Sequence, residues 1–202
     1  MANVAGPFGL MQIGTASGPP NFASGGNPPY KIASTYGTAI FFGDLVRTNY
    51  ATPTGYLELW AEGDGATATR IPVGIFLGCT YYSTSQKKTV WNNYWPGSDA
   101  TGDVSAHVCD DPNAEFLVQA AAGPIGQSAL GQTADIIVGS GNTTTGISTA
   151  ALDTPTTTST LPFKVVGFRT SPPGANGSDI TTAYNNVVVA FNNQMFKNSA
   201  GV

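Results

Sequence analysis

The chain has 202 residues, of which 41% are hydrophobic and 10% are charged, whereas soluble domains average about 25% charged residues. Its formal net charge of −4 argues against nucleic-acid binding, because that function requires a basic face that neutralises phosphates. The 25 glycines and 14 prolines exclude a helical bundle, and the apolar content is too high for a disordered chain. We therefore expect one turn-rich, all-β domain with a largely neutral surface.

The first 35 residues are predicted to form an extended N-terminal arm. Residues 1–30 carry no charge, and glycine and proline interrupt them repeatedly, so that neither a membrane helix nor a regular sheet is expected there. A disordered tail is the alternative, but such tails seldom contain so many large apolar side chains. We predict that the arm docks on a partner surface through apolar anchors, and the candidates are Phe8, Leu10, Met11, Phe22 and Tyr30.

Residues 36–202 are predicted to form a β-rich core domain. The clearest element is a hairpin, in which aromatic-rich runs at residues 71–82 and 88–94 flank a polar turn. Further short strands are predicted at residues 38–42, 45–48, 55–60, 105–109, 115–120, 136–138, 163–169 and 186–191. Residues 139–160 are rich in Thr, Ser and Gly and are predicted to be an exposed loop or a long β-excursion. Many short antiparallel strands without a long helix predict a β-barrel or a β-sandwich.

Candidates for catalysis are few. His107 is the single histidine, and Cys109 lies two residues further along a predicted strand, so both side chains would point to the same face. A Cys–His pair is conceivable there, but no nucleophile motif surrounds Cys109. We therefore expect a structural histidine and no catalytic residue. Cys79 and Cys109 are too few for a disulfide scaffold, and we expect buried free thiols.

Five carboxylates lie close together in the sequence and define a candidate cation site. They are Asp99, Asp103, Asp110, Asp111 and Glu115. Their spacing differs from that of a calcium loop, and the run at residues 110–113 (DDPN) is an ordinary turn sequence. The thiols and the histidine are too few for a convincing zinc site. We therefore predict no metal and no other cofactor.

A second group of candidate partner-binding residues consists of Trp91, Tyr94 and Trp95. Aromatic rings on a sheet could stack on sugar rings, so one hypothesis is a carbohydrate- or receptor-binding surface. The other is core packing combined with a subunit contact, because Trp and Tyr are favoured in both settings. We favour the second hypothesis.

Five short segments of the chain carry a family resemblance. They are residues 43–46 (GDLV), 73–79 (VGIFLGC), 94–97 (YWPG), 110–113 (DDPN) and 116–119 (FLVQ). In this order they resemble the small head decoration proteins, or cement proteins, of tailed bacteriophages. The resemblance spans roughly residues 38–120 and concerns the pattern of the strands and turns; no active-site motif is part of it.

The resemblance implies a structural, non-enzymatic virion protein. Such a protein binds the outer surface of an icosahedral head and stabilises contacts between major capsid protein subunits. The implied partners are the major capsid protein and further copies of this chain, as a homotrimer or another small homo-oligomer, without nucleic acid or membrane. The resemblance also implies that the chain is made in the host bacterial cytoplasm, and the absence of a basic signal-peptide segment at its start agrees with this. The assembled protein would be located on the capsid exterior.

Overall fold

The computed structural model describes residues 3–16, 30–48, 54–67, 70–170 and 179–197. These ranges contain no α-helix and only two 3-10 turns, at Asp64–Ala66 and Gln127–Ala129. The prediction of an all-β protein is therefore confirmed, and of the two predicted architectures the sandwich is correct. No helix in the described ranges is long and apolar enough to cross a membrane.

The thirteen strands are short, and most of them pair antiparallel. They are β1 (Met11–Thr15), β2 (Tyr30–Ile32), β3 (Leu45–Thr48), β4 (Leu57–Leu59), β5 (Pro72–Ser83), β6 (Lys88–Asn92), β7 (Val104–Cys109), β8 (Ala114–Gln119), β9 (Thr133–Ala134), β10 (Ile136–Ile137), β11 (Ala151–Leu152), β12 (Phe163–Phe168) and β13 (Asn186–Phe191). The first sheet has the order β1-β8-β13-β12-β9. The second has the order β2-β7-β5-β3-β4, with β6 paired to β5, and β10 and β11 form a separate pair.

The larger of two cores lies between the sheets. Along β13, alternate residues are buried, as period-two side-chain placement requires. From the first sheet, the rings of Phe116, Phe163 and Phe191 lie 5.1–6.3 Å apart. The second sheet contributes Leu45 and Ile75, among others, to the same core.

The smaller core lies on the opposite face of the second sheet. Phe76 and Cys79 of β5 point into it, and Trp95, which follows β6, fills its centre. The indole Nε1 of Trp95 donates a hydrogen bond to the carbonyl of Tyr36 at 3.0 Å. The first half of β5 is therefore buried on both faces, which explains its nearly continuous apolar sequence.

The N-terminal segment is more closely integrated than we predicted. The expectation that residues 1–35 contain no regular sheet does not hold for their described part, because β1 pairs with β8 and β2 pairs with β7. Leu10 is only 1% exposed in the larger core. Gly9 has a φ of +74° and donates its N–H to the carbonyl of Ala150 at 3.2 Å. Strands more than 70 residues away in sequence therefore supply the hydrogen bonds that the segment cannot form locally.

Candidate partner-binding surface

The distal half of β5 and all of β6 present an exposed aromatic face. The face of β5 that carries Ile75 and Leu77 belongs to the larger core, and beyond a bulge it continues as Thr80 and Tyr82. Tyr82 is 46% exposed. The first sheet therefore covers the proximal half of this face, whereas the distal half is open to solvent.

Trp91 is the most exposed large aromatic residue of this face. It lies opposite Thr80 in the β5–β6 ladder, and it is 64% exposed. Its Cζ2 atom lies close to Gly78, where an added Cβ would come within 3.0 Å of the ring and 2.9 Å of the Asn92 carbonyl. Gly78 also has a φ of +138°, which L side chains rarely adopt. The glycine therefore makes room for the indole to lie on the sheet.

Asp99 orders the tip of the hairpin. Its carboxylate accepts hydrogen bonds from the Ser83 hydroxyl at 2.7 Å, the Thr84 hydroxyl at 2.8 Å and the Ser85 N–H at 3.0 Å. These donors favour the charged form and lower the pKa of Asp99 to about 2. The Tyr82 hydroxyl donates to the carbonyl of Lys87 at 2.9 Å. The turn that supports the exposed face is thus held in one arrangement.

The open face carries few charges. Across the sheet, Trp91, Thr80, Ser105 and Lys31 form one cross-strand row. The Lys31 ammonium donates to the Ser105 hydroxyl at 3.3 Å, at the margin of the face. Tyr and Trp are enriched in protein–protein interfaces, and charged residues are depleted from the central part of such interfaces. We define these residues, together with Tyr82 and Thr89, as the hairpin face.

The predicted aromatic trio does not form one platform. Trp95 is 0% exposed, and it pairs with Ile40 in an isolated bridge that turns the chain into the smaller core. Tyr94 is half-buried, and its ring stacks on Phe41 with centroids 5.3 Å apart. Trp95 is therefore wrong as a partner-contact residue, and Trp91 is the one member of the trio that is largely exposed.

The predicted anchors of the arm are also separated. Leu10 is wrong as a partner contact, because it is enclosed in the larger core. Phe8 is half-buried, and Met11 is 47% exposed at the start of β1. Tyr30 lies in β2 and donates its hydroxyl to Asp110 at 2.8 Å. Phe22 lies outside the described residues.

The pair His107 and Cys109 has the wrong electrostatics for a nucleophilic site. Cys109 is buried, and burial raises the pKa of its thiol to about 11, whereas a reactive thiol needs a lowered pKa. Burial likewise raises the pKa of Cys79 to about 12. Both cysteines are free and buried, which confirms the prediction made from the sequence.

Three of the five clustered carboxylates bind separate partners in the structure. Asp99 binds the hairpin tip, Asp103 accepts from the Tyr56 hydroxyl at 3.0 Å, and Asp110 accepts from Tyr30. No group of three or more His, Cys, Asp or Glu residues in the described part of the chain could hold a metal ion. These acidic side chains therefore fasten loops and strands.

Sequence reasoning missed two buried carboxylates and one exposed ring. Asp64, which is fully buried, pairs with the guanidinium groups of Arg47 and Arg70. Asp44 accepts from the Phe41 N–H at 2.7 Å and from the Ser148 hydroxyl. Tyr82 could have been found from the sequence, because successive side chains of a strand point to opposite faces. If Tyr81 faces the core, Tyr82 must therefore face solvent, as the structure shows.

Comparisons with protein families, with curated proteins and with solved structures found no match to this chain. Its function is therefore inferred from its own residues.

Proposed function

We propose that the chain is a structural virion protein that binds the outer surface of an icosahedral phage head and stabilises contacts between major capsid protein subunits. The observation that carries this proposal is the hairpin face, where Trp91 is 64% exposed on an ordered strand. Trp and Tyr are enriched at protein–protein interfaces, and interface tryptophans are frequent hot spots. The pattern resemblance to decoration proteins of tailed phages supports the same function.

The chemistry of the hairpin face suits a flat protein partner. Thr80, Thr89 and Ser105 provide hydroxyl groups that both donate and accept, so they can pair with backbone or side chains of the partner. Few charges have to lose water when such a face is covered, and the desolvation cost is correspondingly small. The indole of Trp91 is held against Gly78, so that little side-chain entropy is lost on binding.

The presence of many copies on one head would add to the affinity of each individual contact. A protein present in many copies on one particle gains from each additional attachment, because later contacts form at high effective concentration. A homotrimer or another small homo-oligomer would therefore stay on the shell even when each contact is weak. The chain would be made in the host bacterial cytoplasm, where the two buried free thiols are compatible with a reducing environment.

Co-sedimentation of the purified chain with purified tailed-phage heads tests this proposal. We expect saturable binding of the wild type and an at least tenfold weaker binding of Trp91→Ala, because central interface tryptophans are frequent hot spots. Phe196→Ala is the matched control, since Phe196 is an exposed aromatic residue outside the hairpin face, and it should bind as the wild type does. Absence of binding to any head, or equal binding of Trp91→Ala, would contradict the proposal.

A carbohydrate- or receptor-binding virion component is the second candidate. The observation that favours it is the exposed ring of Trp91. A second exposed ring, that of Tyr82, lies on the same face, two residue pairs along the β5–β6 ladder from the pair of Thr80 and Trp91. It is the weaker candidate, because Tyr94 and Trp95 do not contribute to a platform. A glycan array with the wild type and Trp91→Ala separates the two: binding that Trp91→Ala abolishes favours the sugar, and no signal favours the shell.

A further inference from the structure

Strand β6 forms an edge of the second sheet. Among the described residues it pairs with β5 alone. In an antiparallel ladder, the backbone N–H and C=O groups of alternate residues in an edge strand point away from the sheet. Such an edge is a template for another strand unless charges, prolines or bulges protect it. In β6, Lys88 is the single charged residue, and it lies at the strand's end.

We propose that β6 pairs antiparallel with β6 of a second copy of this chain, about a two-fold axis at Val90. Val90 then lies opposite Val90 of the other copy, Thr89 lies opposite Trp91, and Lys88 lies opposite Asn92. All five residues of β6 take part in this register. The contact uses the same surface on both copies and is closed, as in most homodimers.

The side chains of β6 are self-complementary in this register. Like charges directly opposite each other destabilise a sheet, and here each Lys88 faces an Asn92 amide. On the other face, each Trp91 lies beside a Thr89 of the second copy, and aromatic–β-branched pairs are favourable. Val90 is half-buried and belongs to the margin of the smaller core, so its partner extends that apolar margin across the two-fold axis.

The pairing also joins two hairpin faces into one. Cross-strand neighbours within one copy are Thr80 with Trp91 and Tyr82 with Thr89. Continuing the ladder through β6 therefore places both Trp91 rings and both Tyr82 rings on the same side of a continuous sheet. The fixed turn at Asp99 keeps β6 in place before the second copy arrives. This inference concerns the isolated chain and does not rest on the proposed function.

Sedimentation equilibrium of the full chain tests the dimer. We expect the wild type to dimerise and Val90→Lys to raise the dissociation constant at least tenfold, because it places two lysines opposite each other. Val166→Lys is the matched control, since Val166 is an exposed strand valine of the first sheet, and its dissociation constant should equal that of the wild type. A wild type that stays monomeric at all concentrations, or equal effects of the two substitutions, would overturn the proposal.

Disulfide cross-linking tests the register independently of any weakened variant. Val90→Cys should cross-link with itself, because opposite residues in an antiparallel pair have Cα atoms about 4.5–5.5 Å apart. Lys88→Cys should not cross-link with itself, since about four residues of strand, or roughly 13 Å, separate the two copies of this position. A mixture of Lys88→Cys and Asn92→Cys should give the mixed disulfide. Cys109 is buried, and Cys79, which lies opposite Asn92 in the β5–β6 ladder, is replaced by Ala in all the cysteine variants so that it cannot pair with the new thiol.

The cross-linking outcomes are decisive in both directions. Val90→Cys homodimers together with mixed Lys88–Asn92 disulfides establish the two-fold antiparallel pairing. Preferential self-cross-linking of Lys88→Cys, or a dimer that none of these positions captures, refutes it. Because no phage head is present in either experiment, failure here leaves the head-binding test unaffected, and failure of head binding leaves the dimer intact.

Discussion

Strand β5 crosses two regions of the molecule that differ in what covers them. Its proximal half, with Ile75 and Phe76, is buried on both faces, by the first sheet on one side and by the smaller core on the other. In its distal half, Tyr81 is buried whereas Tyr82 is 46% exposed. One strand thus serves as interior in one region and as surface in the other.

The difference shows how a small all-β protein can combine a well-packed interior with aromatic rings exposed on a regular strand. The covered half collects apolar side chains from both sheets, and burial of that area dominates folding energetics. The open half keeps its backbone geometry from the same continuous strand, so the exposed rings stand on a rigid base. A separate loop would have to be ordered on binding at an entropic cost.

The largest contrast should appear between two tryptophans four residues apart. We expect Trp95→Ala to lower the free energy of unfolding by about 3–5 kcal/mol, because it empties the centre of the smaller core. Trp91→Ala should cost less than about 1 kcal/mol, since the ring is 64% exposed. Urea denaturation of both variants measures the pair. Similar losses at the two positions would erase the distinction between covered and open regions.

Asp44 offers a pH-dependent test where the two halves of β5 meet, because its carbonyl accepts from the Phe76 N–H at 2.8 Å. Burial raises the pKa of its carboxyl from 3.8 to about 6. Between these values the folded protein holds a proton that the unfolded chain releases, so stability falls as the pH rises through this window. The loss should total about 3 kcal/mol and be complete above about pH 6.

The reference for this effect is Asp44→Asn, which cannot titrate at this position. Other carboxyl groups contribute to the pH dependence of both proteins and cancel in the difference between them. Urea denaturation between pH 4 and pH 7 should therefore show a steeper decline for the wild type than for the variant. Parallel curves would show that Asp44 does not carry the predicted proton.

The smallest expected effect is a difference in the alkylation rates of the two cysteines, one in each of the two regions that β5 crosses. Cys79 lies opposite Asn92 in the open half, and Cys109 lies opposite Ile75 in the covered half. Both thiols should be inert in the native state, because burial excludes reagent and raises their pKa. In mild urea we expect Cys79 to react several-fold faster, since the open half has fewer packed layers. Mass spectrometry of alkylated peptides measures both rates, and faster labelling of Cys109 would reverse the comparison.

The strands that were predicted well are those whose pairing is local or whose pattern is strong. The hairpin predicted at residues 71–82 and 88–94 is found as Pro72–Ser83 and Lys88–Asn92. The strand predicted at residues 186–191 is Asn186–Phe191. In both, β-branched and aromatic residues and clear turn boundaries determine the structure, and no distant partner has to be known.

The elements that were missed depend on distant partners. β1 has no periodic pattern, and Gly14 interrupts it with a register shift, yet β8 supplies its hydrogen bonds. The strand predicted at residues 38–42 is instead an irregular segment with isolated bridges at Ile40 and Phe42. It covers Trp95 in the smaller core, and this tertiary contact outweighs its β-propensity.

The candidate surface was only partly predictable. Trp91 was among the predicted contact residues, but the sequence could not show that Trp95 turns inward, because Asn92 ends β6 and the chain crosses to the other face. Residues 139–160 likewise divide in the structure: the turn near Thr144 is exposed, whereas Ala151 and Leu152 form β11 and are buried. Composition alone does not distinguish these two environments.

Gly78, on strand β5, determines where the exposed indole of Trp91 can lie. Any side chain at this position would collide with the indole of Trp91 or with the backbone carbonyl of Asn92. The aromatic character of the outer face is therefore governed by a residue that contributes no atoms to it. Replacement of this one glycine would therefore displace the indole of Trp91 and change the shape of the hairpin face while every exposed residue kept its identity.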